Sequence, residues 1–211
     1  MNSHHIISTF RFAGALVASA LISHAAPLSF DFKDPKGVNN VQFKLDAPLE
    51  SITGTATGIG GQVSFDPANP AATQGRITLD TASLTVGNPL MAEHLRSDKW
   101  LDVAKHPSIV FEARELLNSR PQGAQLLADI RGTLTVKGIT RDVTVPVSFT
   151  YLADKLGARL GNPKLQGDLL VLRANFIINR SEFGIQAGEM TDKVAETINL
   201  SLSIAGAAPR S

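Results

Sequence analysis

Two histidines are the first candidates for chemistry in this chain. His94 and His106 are the histidines that follow the N-terminal 25 residues, and the chain contains no cysteine. Their spacing is not that of metal ligands, and no neighbouring cluster of acids completes a coordination set. The sequence therefore predicts no metal cofactor. His94 fits the surface of a helix or a cap over one end of the fold, and His106, before Pro107, fits a turn.

Nucleophilic catalysis has equally little support. The chain has no Gly-x-Ser-x-Gly elbow, and Ser97 beside Asp98 has no histidine placed as a base. The glycine-rich stretch Gly54–Gly61 lacks the Gly-Lys-Ser/Thr ending of a phosphate loop and instead suits a bend in a strand. We therefore predict a protein that is not an enzyme, with a small hydrolase as a weaker alternative.

Arg180 is the charge with the least ordinary position. It continues the two-residue step of Phe176 and Ile178 along an apolar face, so in an extended strand it points inward. An unpaired cation there would be costly. Two interpretations follow: Arg180 pairs with an acid such as Glu182 or Asp98, or it meets the anionic or carbonyl-bearing head of a ligand.

The elements that must position these residues are strands. Apolar and polar residues alternate from Val143 to Tyr151 and again from Val194 to Ile204, and shorter stretches elsewhere repeat the pattern. These stretches predict about eight strands, each with one face toward water. Alternation alone fits either a closed barrel or a sandwich.

One helix is predicted, between Pro89 and Trp100. Asn88 can cap its first turn, and Leu90, Met91, Leu95 and Leu101 fall near one stripe. An amphipathic helix inserted between strands must bury that stripe. We therefore expect it to lie across one opening of the sheet structure, with a long hairpin loop of unassigned role between Leu152 and Gly167.

The first residues predict export. Phe12–Ile22 is a short apolar run after Arg11, and small residues precede Ala26. We assign residues 1–25 to a signal peptide and 26–211 to a single domain in the periplasm or outside the cell. Without Arg11, the remaining 19 basic residues balance 19 acidic ones, so nucleic acid is a poor partner.

Three segments in a fixed order carry a family resemblance: Glu93–Phe111, Gly132–Phe149 and Ile178–Ile185. Together they resemble the YceI-like family of secreted bacterial proteins. The resemblance implies an all-β fold, an eight-stranded antiparallel lipocalin-like barrel with one short α-helix near its mouth. It also implies an apolar ligand of the polyisoprenoid type, such as a quinone or an isoprenoid pyrophosphate.

The implied function is that of a non-enzymatic carrier that holds such a lipid inside the barrel. The alternative is a solid barrel that acts as an interaction or stress-response module, with a membrane or envelope redox protein as partner; a homodimer also stays open. Trp100 is compatible with both hypotheses: it packs as core at the end of the barrel, or it lines a ligand tunnel. The residues predicted to contact the ligand are Phe43, Phe65, Ile77, His94, Leu95, Trp100, Phe111, Phe149, Phe176, Ile178 and Arg180.

The export segment generates a direct prediction. Signal peptidase requires small side chains just before the cleaved bond, so we expect a mature chain that begins near Ala26 or Pro27. N-terminal sequencing of the protein from fractionated cells measures this. Intact Met1 in soluble cytoplasm would contradict the assignment.

Overall fold

The computed structural model describes residues 26–210, so the predicted signal peptide lies outside the described residues. The described residues form strands joined by two short α-helices, α1 (Pro89–Arg96) and α2 (Leu156–Leu160), and three 3₁₀ turns. The strands are β1 (Leu28–Asp31), β2 (Asn40–Asp46), β3 (Ser51–Ala56), β4 (Ile59–Phe65), β5 (Gln74–Asp80), β6 (Thr85–Val86), β7 (Ser108–Gln122), β8 (Gln125–Val136), β9 (Ile139–Leu152), β10 (Gly167–Asn179) and β11 (Thr197–Pro209). No helix among these residues is long and apolar enough to cross a membrane.

The strands close into an antiparallel barrel of eight positions, as predicted. Three positions are each built from two consecutive pieces: β1 with β2, β3 with β4, and β5 with β6. The two pieces of one position pair with the two pieces of the next: β1 pairs with β4, and β2 pairs with β3. β11 closes the ring by pairing with β2 and, at Asp31 and Ala207, with β1. Closure leaves fewer of the exposed sheet edges that favour aggregation.

Two inward glycines make room for aromatic rings. A side chain at Gly54 would lie 2.1 Å from the ring of Phe43, its partner across β2 and β3. A side chain at Gly206 would lie 2.6 Å from the ring of Phe32. Glycine lets each ring lie flat against the neighbouring backbone, which is its usual role inside curved sheets.

One end of the barrel is solid. Phe30, Phe32 and Leu170 are fully buried there, and Leu156 of α2 is 3% exposed. Phe30 meets Tyr151 edge to face with the ring centres 6.3 Å apart. The region predicted as a plain hairpin loop therefore contains a helix that closes this end of the barrel.

Asn39 joins the pieces of this closed end. Its amide donates to the carbonyls of Phe32 and Ala205, each at 3.1 Å, and its oxygen accepts from the N–H of Ala205 at 2.9 Å. Arg159 of α2 also donates to that oxygen, at 3.3 Å. One side chain thus ties the break between β1 and β2 to β11 and to α2.

The predicted start of the helix is confirmed, but its predicted apolar stripe is partly wrong. Asn88 caps α1 by accepting from the N–H groups of Leu90 and Met91. The helix ends at Arg96, before Trp100. Leu90 is 59% exposed, because the helix turns Leu95 rather than Leu90 toward the barrel interior.

Asn39→Ala should destabilise the protein by about 3 kcal/mol, because it leaves buried backbone groups of Phe32 and Ala205 without partners. Asn40→Ala is the control, since Asn40 makes one exposed bond to Val38 and should change the free energy of unfolding little. Urea unfolding of both variants measures the difference. Equal midpoints would show that Asn39 does not hold the closed end.

Candidate functional site

The other half of the barrel contains a cavity of about 250 Å³. For comparison, a dry engineered cavity of about 150 Å³ holds a benzene molecule. Its walls are inward side chains of β2, β4, β5 and β7–β11, and Leu95, Trp100 and Leu101 also line it. Thr73, Thr78 and Arg180 are the polar side chains of this lining. Such a space suits an apolar molecule.

The lining residues show that this half is not a filled core. Phe111 and Phe176 point inward by strand alternation, yet each is only partly buried. Close-packed interiors leave few voids larger than a water molecule. The aromatic surfaces here face empty space, whereas Phe30 and Phe32 at the solid end are completely buried.

The cavity brings together most of the predicted contact residues. Nine of them line it: Phe43, Ile77, Leu95, Trp100, Phe111, Phe149, Phe176, Ile178 and Arg180. Phe65 lies outside the lining and stacks on Phe149, with ring centres 5.7 Å apart. His94 lies exposed on α1. The ligand-binding role of all these residues stays a prediction.

Other lining residues were not singled out from the sequence. Inward residues of the paired strands share the same alternation and could have been found from it: Ile130, Leu134, Val145, Leu172, Leu200 and Leu202. Leu84, Leu101 and Ile185 come from connections without alternation. No local pattern indicates that Leu84 and Ile185 lie inside, whereas Leu101 continues the predicted apolar stripe of the helix.

Arg180 is fully buried, and protein acceptors occupy its guanidinium. Its Nε donates to the carbonyl of Ala195 at 3.2 Å, and the two terminal nitrogens donate to the carbonyls of Ile185, Gln186, Glu189 and Val194. A guanidinium has five N–H donors, so these contacts account for all of them. Arg180 therefore holds the loop of residues 185–196 over the cavity end of the barrel.

The acid beside Arg180 is Glu196, which is neither of the two partners proposed from the sequence. Its carboxylate lies 3.7 Å from Nε of Arg180 and accepts from the N–H and the hydroxyl of Ser181. The Ser181 hydroxyl, together with its N–H and with Arg180, lowers the pKa of Glu196 against the opposing effect of burial. The stabilisation is present above the ordinary glutamate pKa, about 4.3, and is lost as the pH falls through the lowered value.

The described residues contain no cluster with the composition of a metal site. Among residues 26–210, no group of three or more histidines, aspartates and glutamates could hold a metal ion. His106 packs against the turn between β8 and β9, where a side chain at Gly138 would lie 2.7 Å from its ring.

A family model described as the YceI-like domain matches residues 34–205. This match covers most of the chain. The chain belongs to the YceI-like family. The resemblance inferred from its three motifs is confirmed.

Relatives of this YceI-like protein include two described as UPF0312 proteins. That of Ectopseudomonas mendocina is 34% identical over 65% of this chain and 71% of its own length. That of Pseudomonas putida strain F1 is 27% identical over 92% and 95%, respectively.

Solved structures share the fold. BcnA of Burkholderia cenocepacia superposes with a TM-score of 0.65 at 22% identity, over 79% of this chain and 95% of its own. A polyisoprenoid binding domain from Saccharophagus degradans, implicated in plant cell wall breakdown, gives a TM-score of 0.62 at 12% identity, over 87% and 99%.

Arg180→Met should cost about 3–5 kcal/mol of stability, because it removes the guanidinium donors from five carbonyls of the loop while keeping an unbranched apolar stem. Arg76→Met is the control: Arg76 is paired with Glu112 at 3.1 Å on the exposed outer wall, and its loss should cost at most about 1 kcal/mol. Urea unfolding gives both values, and limited proteolysis reports on residues 185–196. An Arg180→Met protein with the stability and protease resistance of the wild type would contradict the clamp.

Proposed function

We propose that this protein is an exported, periplasmic, non-enzymatic carrier that holds one polyisoprenoid-type lipid, of the quinone or isoprenoid phosphate class, in its barrel. The observation that carries the proposal is the apolar cavity in one half of an otherwise filled barrel. The Saccharophagus degradans neighbour, which is described as polyisoprenoid-binding, supports the ligand class.

The physical drive is burial of apolar surface. A polyprenyl chain in water gains about 25 cal/mol for each Å² that it transfers into an apolar site. The cavity offers phenylalanine, leucine, isoleucine and valine side chains for this transfer. Its walls are strands of a closed barrel, so the site is largely formed before the ligand arrives.

The solid-barrel alternative is disfavoured by the same cavity. A protein that acted only through its outer surface would have no need of partly buried inward aromatic rings such as Phe111 and Phe176. The redox-protein partner and the homodimer stay predictions.

The test fills the cavity from within. Ala174 is 3% exposed and lines the cavity, so Ala174→Trp should place its ring in that space, cost about 1–3 kcal/mol and abolish binding of geranylgeraniol. Ala208→Trp is the matched control at the solid end, where Ala208 is 7% exposed and outside the lining. It should destabilise the fold more, and the protein that remains folded should still bind.

Melting temperature and geranylgeraniol bound per mole of protein are measured together for both variants. An Ala174→Trp protein that folds normally and still binds a full equivalent would contradict a ligand in the cavity. Failure of the wild type to bind any prenyl probe would contradict the carrier function itself.

A further inference from the structure

The barrel wall has a seam between β9 and β10. The ladder between these strands runs from Leu152 and Leu169 and stops at Val147 and Ala174. Both strands continue past this point: β9 stays paired with β8 back to Ile139, and β10 stays paired with β11 on to Asn179. The two strands therefore lie unpaired toward each other beside the cavity half of the barrel.

Proline marks the start of the seam. Pro146 is the first residue of β9 beyond the ladder, and Asn175 is its counterpart on β10. Proline has no N–H to donate, so it occurs in sheets where pairing ends. On the inner side, Phe176 and Ile178 line the cavity directly behind this part of β10.

A groove on the outer wall leads to the seam. It has a volume of about 310 Å³ and crosses β7, β8, β9 and β10. Pro146 and Asn175 are among its lining residues. Val147 and Ala174 line both the groove and the inner cavity, so these two residues lie between them where the ladder ends.

The groove carries a net positive charge, and some of its hydrogen-bonding groups have no partner. Arg120 and Arg173 line it, and the nine ion pairs of residues 26–210 include neither of them. Asp129 is the acid of the groove, and Asn118 donates to it at 2.8 Å. The hydroxyl of Ser148, between the arginines, is buried without a partner in the described protein. Two guanidiniums without an ion pair are the kind of donor that an anionic phosphate group binds.

We propose that this outer groove binds the anionic head group of the lipid, a phosphate or diphosphate, while the tail passes through the seam into the barrel. The inference rests on the carrier function and names its ligand class. Arg180 does not compete for this role, because its donors already bind the loop of residues 185–196. The head group stays at the solvated outer surface, and only the apolar tail enters the cavity.

The first arm compares three probes: geranylgeranyl diphosphate, geranylgeraniol and inorganic diphosphate. Arg120→Gln and Arg173→Gln should each weaken geranylgeranyl diphosphate binding about tenfold and leave geranylgeraniol binding unchanged. Arg131→Gln is the control, since Arg131 lies on the outer face of β8 in an ion pair with Glu115 at 3.0 Å. It should change neither affinity.

These outcomes separate the two claims. Geranylgeraniol binding without any arginine effect on the diphosphate would overturn the head-group site and leave the carrier function standing. Inorganic diphosphate that binds as tightly as the lipid, with the same arginine dependence, would show a free-anion site and also overturn it. Binding of neither prenyl probe would instead contradict the proposed function.

The second arm closes the seam. The chain has no cysteine, so Pro146→Cys with Asn175→Cys supplies the only thiols for a bifunctional maleimide. Cross-linking, verified by mass spectrometry, should slow uptake of geranylgeranyl diphosphate at least tenfold. The control pair, Gln42→Cys with Ser201→Cys, lies exposed on the ladder of β2 and β11 and should leave the rate within twofold. Equal uptake rates in the two cross-linked proteins would exclude passage through the seam.

Discussion

The inward side chains of the barrel fill one half of it and leave the other half open. Eight strands enclose an interior that side chains can just fill or that can hold one small ligand. Here Phe30 and Phe32, with α2 beneath them, fill one end completely. At the other end, partly buried rings such as Phe111 and Phe176 surround the cavity. Packing in the solid half stabilises the barrel. The other half can therefore remain hollow.

The loop of residues 185–196 covers the hollow end of the barrel, and Arg180 holds this loop in place. Residues 185–196 form no helix or strand, and the buried guanidinium donates to five of their carbonyls. Burying a cation is costly unless it is fully hydrogen-bonded. The loop therefore satisfies the arginine while the arginine orders the loop. Leu95 of α1 and Trp100 add apolar surface to the same cavity.

The sequence predicted what alternation and motifs encode. Val143–Tyr151 lies within β9, Asn88 caps α1, and the inward faces of β7 and β10 supply Phe111 and Phe176 to the cavity. Each of these features is set by residues within a few positions of one another.

Features set by distant contacts could not be predicted. Glu196 lies sixteen residues beyond Arg180 and reaches it only because the intervening loop folds back. β1 spans four residues, too few for a clear alternation. The seam was also invisible, because β9 and β10 keep their alternation on both sides of the point where their ladder stops.

We propose that the hollow half of the barrel holds a single prenyl lipid. Native mass spectrometry of the full chain, expressed in and purified from a bacterial envelope without detergent and followed by lipid extraction, measures this directly. We expect one apolar molecule per chain, of constant mass increment, that extraction identifies as prenyl lipid. A chain that carries no lipid, and that binds none when prenyl lipids are supplied, would contradict it.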